Sequence, residues 1–142
     1  MVAKKALRVL VASDREEERR EICQRLAFFN RAGFLRGFDS IRVEVIEAPD
    51  NATAWDVLRR INVDAVIIDL HHPKGSGPIL ARQLRFSPQH AKIPVGGCTH
   101  GDADLTGAYV RLACQVFSAE MPLVEETERF LREAMRRRGV LV

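Results

Sequence analysis

Short apolar runs alternate with amphipathic stretches along the chain. Five runs have the length of β-strands, and they cover residues 7–11, 41–48, 65–68, 93–98 and 116–117. The third run is apolar on both faces, as a central strand of a parallel sheet must be. The second run alternates apolar and polar side chains, which indicates a position nearer the edge of a sheet.

Helical patterns follow the strand runs. The first helix begins at Ser13 or Asp14, since each has a glutamate three residues later in capping-box spacing, and its apolar positions recur through Ile22 and Leu26. Asn51 is the expected cap of the second helix. Further helices are predicted over residues 76–86, 102–113 and 123–138, and a loop is predicted over residues 30–40.

Strand and helix thus alternate five times. This order predicts an α/β fold with right-handed crossovers, in which a doubly wound parallel sheet of five strands in the flavodoxin-like order 2-1-3-4-5 carries five helices. A length of 142 residues suits one domain, which we expect to span residues 1–142.

The amino-acid composition limits the functional classes to which this chain can belong. The net charge of +3 is modest, and the last helix carries acids as well as arginines, so we expect no nucleic-acid partner. No apolar run approaches the roughly 18 residues of a membrane span, and the start of the chain lacks a cleavage signature. The three cysteines, Cys23, Cys98 and Cys114, lie in apolar or helical surroundings without the close pairing of a zinc or redox motif, so we expect buried thiols. We therefore expect a cytoplasmic protein in a reducing compartment, away from membranes.

Asp69 is the first candidate for function. It ends the apolar run over residues 65–68, and Pro73, Gly75 and Gly77 then predict a tight loop before the next helix. Open α/β sheets bind ligands in the crevice beyond the carboxyl ends of their strands. A carboxylate at this point is therefore well placed for chemistry, although a strand-end acid can also serve only to cap a turn.

The chain resembles the response-regulator receiver domains of two-component signalling. In that family the third strand ends in the phosphoryl-accepting aspartate, with a proline four residues on and a glycine eight residues on, as at Asp69, Pro73 and Gly77. The resemblance implies that Thr99 hydrogen-bonds the phosphoryl group. It also implies Mg²⁺ held by Asp14, Asp69 and the backbone carbonyl of His71, and a histidine kinase or other signalling protein as partner.

The sequence departs from the receiver pattern at several positions. The acid pair after the first strand reads Ser13-Asp14, and the small residue after the strand-end threonine is His100. The Lys-Pro of the fifth strand is Met121-Pro122, and a methionine cannot donate a charge-assisted hydrogen bond. We therefore expect weak Mg²⁺ binding and an atypical, non-enzymatic receiver that acts through protein interaction.

Alternatives remain open. The protein could be a working receiver that is phosphorylated on Asp69 by a histidine kinase. It could also be a flavodoxin-like enzyme that holds a phosphate-bearing small molecule with the Asp69 loop and the Gly96-Gly97 backbone, although no glycine-rich loop follows the first strand. Asp14 could serve as a helix cap. His71, His72 and His100 could together hold a transition metal.

The resemblance also implies a docking face. In relatives the helix before the fifth strand, that strand and the last helix form the output surface. Here that surface would present Tyr109, Arg111, the edge at residues 120–122 and the basic end of the last helix. A partner or a second copy of the chain is expected there, as a homodimer in the latter case. The loop with Phe34 and Phe38 is the alternative surface.

Overall fold

The structure is a computed structural model, and it describes residues 5–31, 41–70, 76–98, 115–116 and 124–139. Five strands form one parallel sheet: β1 (Lys5–Ala12), β2 (Ile41–Ala48), β3 (Ala65–Asp69), β4 (Val95–Cys98) and β5 (Gln115–Val116). Their order, β2-β1-β3-β4-β5, confirms the order predicted from the alternation of strand and helix patterns.

The described helices are α1 (Glu16–Arg31), α2 (Asn51–Arg60), α3 (Ser76–Phe86) and α4 (Val124–Arg138). The flavodoxin-like fold class is confirmed, whereas the helix predicted over residues 102–113 lies outside the described residues. In this numbering α4 is the C-terminal helix. Within the part of the chain that the structure describes, no helix has the length and apolar character needed to cross a membrane.

Two hydrophobic layers cover the two faces of the sheet. Successive side chains of a strand point to opposite faces, so Val9 of β1 enters one layer and Leu10 the other. The first layer holds Phe29 of α1 and Phe130 of α4, and the second holds Leu84 of α3. The central strand β3 is buried along its whole length, as its uninterrupted apolar run predicts.

The predicted starts of the first two helices are wrong by one to three residues. α1 begins at Glu16, and the Ser13 hydroxyl accepts a hydrogen bond from the Arg15 N–H at 3.2 Å, so Ser13 forms a local turn before the helix. For α2 the cap is Asp50, whose Oδ1 accepts from the Thr53 N–H at 2.7 Å, while Asn51 is already helical. The extended backbone at Asp50 (φ −151°, ψ 170°) decides which of two adjacent polar residues serves as cap.

The loop expected to begin at residue 30 begins later, because α1 continues through Arg31. Asn30 is therefore a helical residue, and its side chain binds the backbone of Val43 in the edge strand β2. Nδ2 donates to the Val43 carbonyl and Oδ1 accepts from the Val43 N–H, both at 2.8 Å. A side-chain amide thus pairs backbone groups that an edge strand leaves open. Phe34 and Phe38 lie outside the described residues.

Two of the three cysteines are described, and both are free thiols. Cys98 is buried at the end of β4, as expected, whereas Cys23 is only half-buried. Burial, followed by the charge of Glu47, raises the pKa of the Cys23 thiol to about 12. A thiol with so little thiolate at neutral pH is unreactive, which fits a packing role. Cys114 lies outside the described residues.

Candidate functional site at the carboxyl edge of the sheet

Asp69 lies at the carboxyl end of β3, between β1 and β4. It pairs with Cys98 of β4, and the next residue, Leu70, donates its N–H to the Cys98 carbonyl at 2.8 Å. The side chain of Asp69 is only 6% exposed, although it is a carboxylate. Buried carboxylates need partners. The partners of Asp69 come from the segment that joins β1 to α1.

Ser13 stands at the position where the resemblance implies an acid. Its N–H donates to the Ala48 carbonyl at 3.1 Å, which fixes the chain just beyond β1. Its hydroxyl lies 3.5 Å from Asp69 Oδ2, a long contact, and 3.3 Å from the Arg15 carbonyl. A buried neutral hydroxyl therefore faces Asp69, where a second carboxylate would bring another negative charge.

Glu18 is an acidic partner of Asp69. It lies in the first turn of α1, its side chain is buried, and it shares a hydrogen bond with Asp69. Sequence analysis missed this residue, because three consecutive glutamates at a helix start are typical of acids that favour the helix dipole. The signal that could have found it is periodicity: Glu18, Ile22 and Leu26 recur every four residues on the buried face of α1.

The pKa of Glu18 is raised to about 8. Burial is the largest cause, and the hydrogen bond to Asp69 and the negative charge of Asp69 come next. The Arg15 guanidinium, whose Nη1 lies 2.5 Å from Glu18 Oε1, lowers the pKa of Glu18. The negative charge of Asp14 raises the pKa by a smaller contribution. The raised pKa favours the protonated form of Glu18 at neutral pH, and a protonated Glu18 is able to donate a hydrogen bond to Asp69.

Arg19 holds the segment between β1 and α1 in place. Its Nη1 donates to the Ser13 carbonyl at 2.9 Å, and its Nε lies 3.2 Å from Glu47 Oε1 at the end of β2. Charge-assisted hydrogen bonds of this kind are about twice as strong as neutral ones. Ser13 and Glu18 are thus positioned by contacts on both sides and face Asp69 from a fixed segment.

Gly77 lets α3 approach the backbone of Asp69. A Cβ atom built at Gly77 would lie 1.9 Å from the Asp69 carbonyl oxygen, far inside contact distance. Only glycine fits at this point of the first turn of α3. The glycine eight residues after the strand-end acid therefore has a steric reason in this chain, and the short spacing places the start of α3 directly beside the site.

The described side chains fit a Mg²⁺ ion poorly. Mg²⁺ prefers several oxygen ligands in near-octahedral arrangement. Of the residues predicted to hold it, Asp14 is exposed and Asp69 is buried against Glu18, while His71 lies outside the described residues. Among the residues that the structure describes, no group of three or more His, Cys, Asp or Glu side chains is arranged to hold a metal ion.

Several predicted site positions lie outside the described residues. These are Thr99, the three histidines at 71, 72 and 100, and the Met121-Pro122 pair. Their roles stay predictions. Gly96 and Gly97 are described, and they are buried in β4 in register with Ile67 and Ile68 of β3. Since that backbone belongs to a central strand and not to a loop, it gives no support to the enzyme alternative, which needs it to bind phosphate.

This chain is similar to known proteins in structure, although no similarity is found in sequence. No family model matches the sequence, and no curated protein matches it. The structure is similar to a response regulator receiver domain protein from Clostridium thermocellum, with 21% identity and a TM-score of 0.66 over 95% of this chain and 98% of that chain.

Two further solved structures are similar over most of their length. The signal receiver domain of a DNA-binding response regulator from Colwellia psychrerythraea 34H has 16% identity and a TM-score of 0.67, over 92% of this chain and 98% of that chain. The chemotaxis response regulator CheY4 of Vibrio cholerae has 17% identity and a TM-score of 0.62, over 94% and 98%. This protein therefore has the flavodoxin-like fold of response-regulator receiver domains.

Proposed function

We propose that this protein is an atypical receiver-like module of two-component signalling, which acts by binding other signalling proteins and not by ordinary phosphoryl switching. The observation that carries the proposal is the buried Glu18–Asp69 pair. Its hydrogen bond uses the carboxylate that a receiver offers to the phosphoryl donor. A histidine kinase, another signalling protein or a second copy of the chain is the proposed partner.

The chemistry of phosphoryl acceptance supports this reading. An attacking carboxylate must be ionised and accessible, and the incoming phosphoryl oxygens need cations and hydrogen-bond donors around them. Asp69 is 6% exposed and bound to a carboxylic acid, and the nearby cation Arg15 is paired with Glu18. Phosphorylation would add negative charge beside Glu18 and Asp14, with Met121 in the sequence position of the usual lysine.

A titration with Mg²⁺ and beryllofluoride, a phosphoryl mimic, followed by NMR tests this function. We expect weak binding, since each missing charge-assisted contact costs roughly 1.5–3 kcal/mol, or about ten- to a hundredfold in affinity. The double variant Ser13→Asp with Met121→Lys restores both groups and should tighten binding by at least that factor. Micromolar binding of the mimic to the unaltered chain, with clear shifts at Thr99, would overturn the proposal.

A working receiver is the second candidate, and the position of Gly77 favours it. In this chain α3 closely approaches the Asp69 carbonyl, although the acid pair of the receiver pattern is missing one acid. Incubation with acetyl phosphate followed by mass spectrometry separates the two functions. A stoichiometric mass increase on Asp69 that is absent in Asp69→Asn would favour the working receiver.

The proposed docking face is the one implied by the resemblance. Its described part is α4, where Arg132 is half-buried and its Nη2 lies 2.8 Å from Glu128 Oε1. Arg136 and Arg138 at the end of the helix are exposed. Tyr109, Arg111 and residues 120–122 lie outside the described residues. Arginine side chains are common anchors of interfaces, which supports a partner at this end of the molecule.

A further inference from the structure

α3 carries an apolar surface that the core does not use. Ile79 is 46% exposed and Phe86 is 77% exposed, while Leu80 and Leu84 on the other face of the helix are fully buried. Ile79 and Phe86 are seven residues apart and therefore lie two turns apart on one side of the helix. With Arg82 and Gln83 between them they line a groove of about 500 Å³, and we call these four residues the α3 surface.

Neighbouring contacts hold this surface in shape. The indole Nε1 of Trp55 in α2 donates to Gln83 Oε1 at 2.9 Å, and the Trp55 ring packs edge-on against His90 at 5.5 Å between ring centroids. The next arginine along the helix, Arg85, is turned away, since its Nη1 donates to the carbonyls of Ala91 and Ile93. A surface that is already ordered loses less entropy when a partner binds.

The charged side chains of α3 and the segment after it are all basic. Residues 76–98 contain no Asp or Glu but carry Arg82, Arg85 and Lys92. Arg82 is exposed, and it forms no ion pair with any other residue that the structure describes. An exposed guanidinium between two exposed apolar side chains is complementary to a carboxylate flanked by apolar residues.

We propose that the α3 surface docks an acidic amphipathic helix of a partner protein. The partner helix lays apolar side chains against Ile79 and Phe86 and places a carboxylate opposite Arg82. A groove usually recognises such a helix through apolar side chains that are spaced by one and two helical turns. The site lies on α3 and needs no chemistry at Asp69, so it stands or falls independently of the function proposed above.

Charge argues against two other occupants. A second copy docking through the same surface in antiparallel fashion would bring both Arg82 guanidiniums close to the two-fold axis, and residues 76–98 hold no acid to offset them. A lipid surface would gain little, since two apolar side chains bury too small an area for stable membrane association. A carboxylate-bearing helix satisfies both the apolar groups and the cation.

A display experiment tests the proposal. A yeast-displayed library of helical peptides of about 16 residues, with leucines fixed seven residues apart and the other positions randomised, is sorted against the labelled full chain. We expect the selected peptides to be enriched in Asp and Glu between the leucines. Their affinity should fall at least about tenfold for Arg82→Glu and for Phe86→Ser.

Controls separate the surface from the fold. Arg82→Lys keeps the charge and should retain most of the affinity, and Phe28→Ser removes an exposed phenylalanine of α1 and should change nothing. All three positions are at the surface, and circular dichroism with thermal melting verifies that each of the four variants is folded. Selected peptides without acidic enrichment, or binding that is indifferent to Arg82→Glu, would overturn the proposal. So would binding of the chain to phosphatidylglycerol vesicles with the same dependence on Arg82 and Phe86, which would reassign the surface to lipid.

Discussion

At the scale of single residues, the pairing of Glu18 with Asp69 dominates the chemistry of the site. Two buried carboxyl groups in contact cannot both ionise at low cost, so one of them keeps its proton. The hydrogen bond between them and the contact of the Ser13 hydroxyl with Asp69 favour this arrangement, whereas the Arg15 guanidinium lowers the pKa of Glu18 and opposes it. The residue that completes the site therefore comes from α1, five positions after the serine that stands in for an acid.

The first prediction concerns stability against pH. The pKa of Glu18 is 4.5 in its ordinary state and about 8 in the folded chain, so between these values the folded protein holds a proton that the unfolded protein has lost. The free energy of unfolding should thus fall as pH rises from about 4.5 to about 8, by up to about 1.4 kcal/mol per pH unit, and this contribution should be flat outside that window.

Urea unfolding of the parent and of Glu18→Gln across this range measures the effect. Glutamine cannot titrate, so the fall with pH should disappear from the variant. Glu17→Gln, at the exposed neighbouring position, serves as the matched control and should keep the parent slope. An unchanged slope in Glu18→Gln would show that the proton is held elsewhere.

The second prediction concerns Asp69 itself. Burial is the largest cause of the raised pKa of Glu18, and Asp69→Asn removes the charge of Asp69 that adds to it, so the fold should persist and the fall in stability should end at a lower pH. Above about pH 8 the variant should be as stable as the parent or more so, because the repulsion between two carboxylates is gone. Chemical denaturation at two pH values measures this. A loss of several kcal/mol would instead assign Asp69 a structural hydrogen-bonding role.

At the scale of secondary-structure elements, close packing of α3 on the end of β3 sets the geometry of the site. The contact depends on the missing side chain of Gly77, which lies against the Asp69 carbonyl. Asn30 plays a comparable part at the other side of the sheet, where it joins α1 to β2 through two hydrogen bonds. Single residues thus fix how helices sit on strands.

The third prediction follows from the Gly77 contact. Gly77→Ala would place a Cβ atom 1.9 Å from backbone, which cannot rotate away, so α3 must shift. We expect a loss of roughly 2–4 kcal/mol in the free energy of unfolding. Gly139→Ala is the control, because its φ of +81° carries a conformational cost but its Cβ meets nothing within 4 Å. That cost is about 1 kcal/mol. Equal losses in the two variants would contradict the steric explanation.

At the scale of the whole molecule, Asp64 joins elements that are far apart in sequence. It precedes β3, and its Oδ2 accepts from the Arg8 N–H of β1 at 2.8 Å and from Arg138 Nη1 at the end of α4 at 2.9 Å. This contact lies at the amino end of the strands, opposite the candidate site. It therefore stabilises the fold without taking part in the chemistry at Asp69.

The fourth prediction tests the contribution of the Asp64 hydrogen bonds to stability. Asp64→Ala leaves a part-buried N–H without its acceptor and should cost roughly 1–3 kcal/mol in the free energy of unfolding. Asp56→Ala removes an exposed carboxylate that pairs with Arg60 and should change stability by less than about 0.5 kcal/mol. Thermal and urea unfolding of the two variants side by side measures the difference. A loss at Asp56 as large as that at Asp64 would contradict the prediction.

The sequence by itself determined the fold class, the strand order and the position of Asp69. Apolar runs, helical periodicity and glycine spacing are local patterns, and each reports the burial of a residue through its own neighbours in the chain. The strand run ending at Asp69 and the helix over residues 76–86 were therefore predicted as the structure has them. The departures from these predictions at Ser13, Asp50 and Asn30 involve polar side chains.

Only the tertiary structure decided which partner each polar side chain meets. Glu18 and Asp69 are 51 positions apart, and Asn30 and Val43 belong to elements that no local pattern pairs. Periodicity places Glu18 on a buried face but does not say that a carboxylate lies across from it. The cap of α2 is likewise set by the backbone angles at Asp50. Hydrogen bonds depend on distance and direction between groups, and these exist only once the strands have been brought side by side.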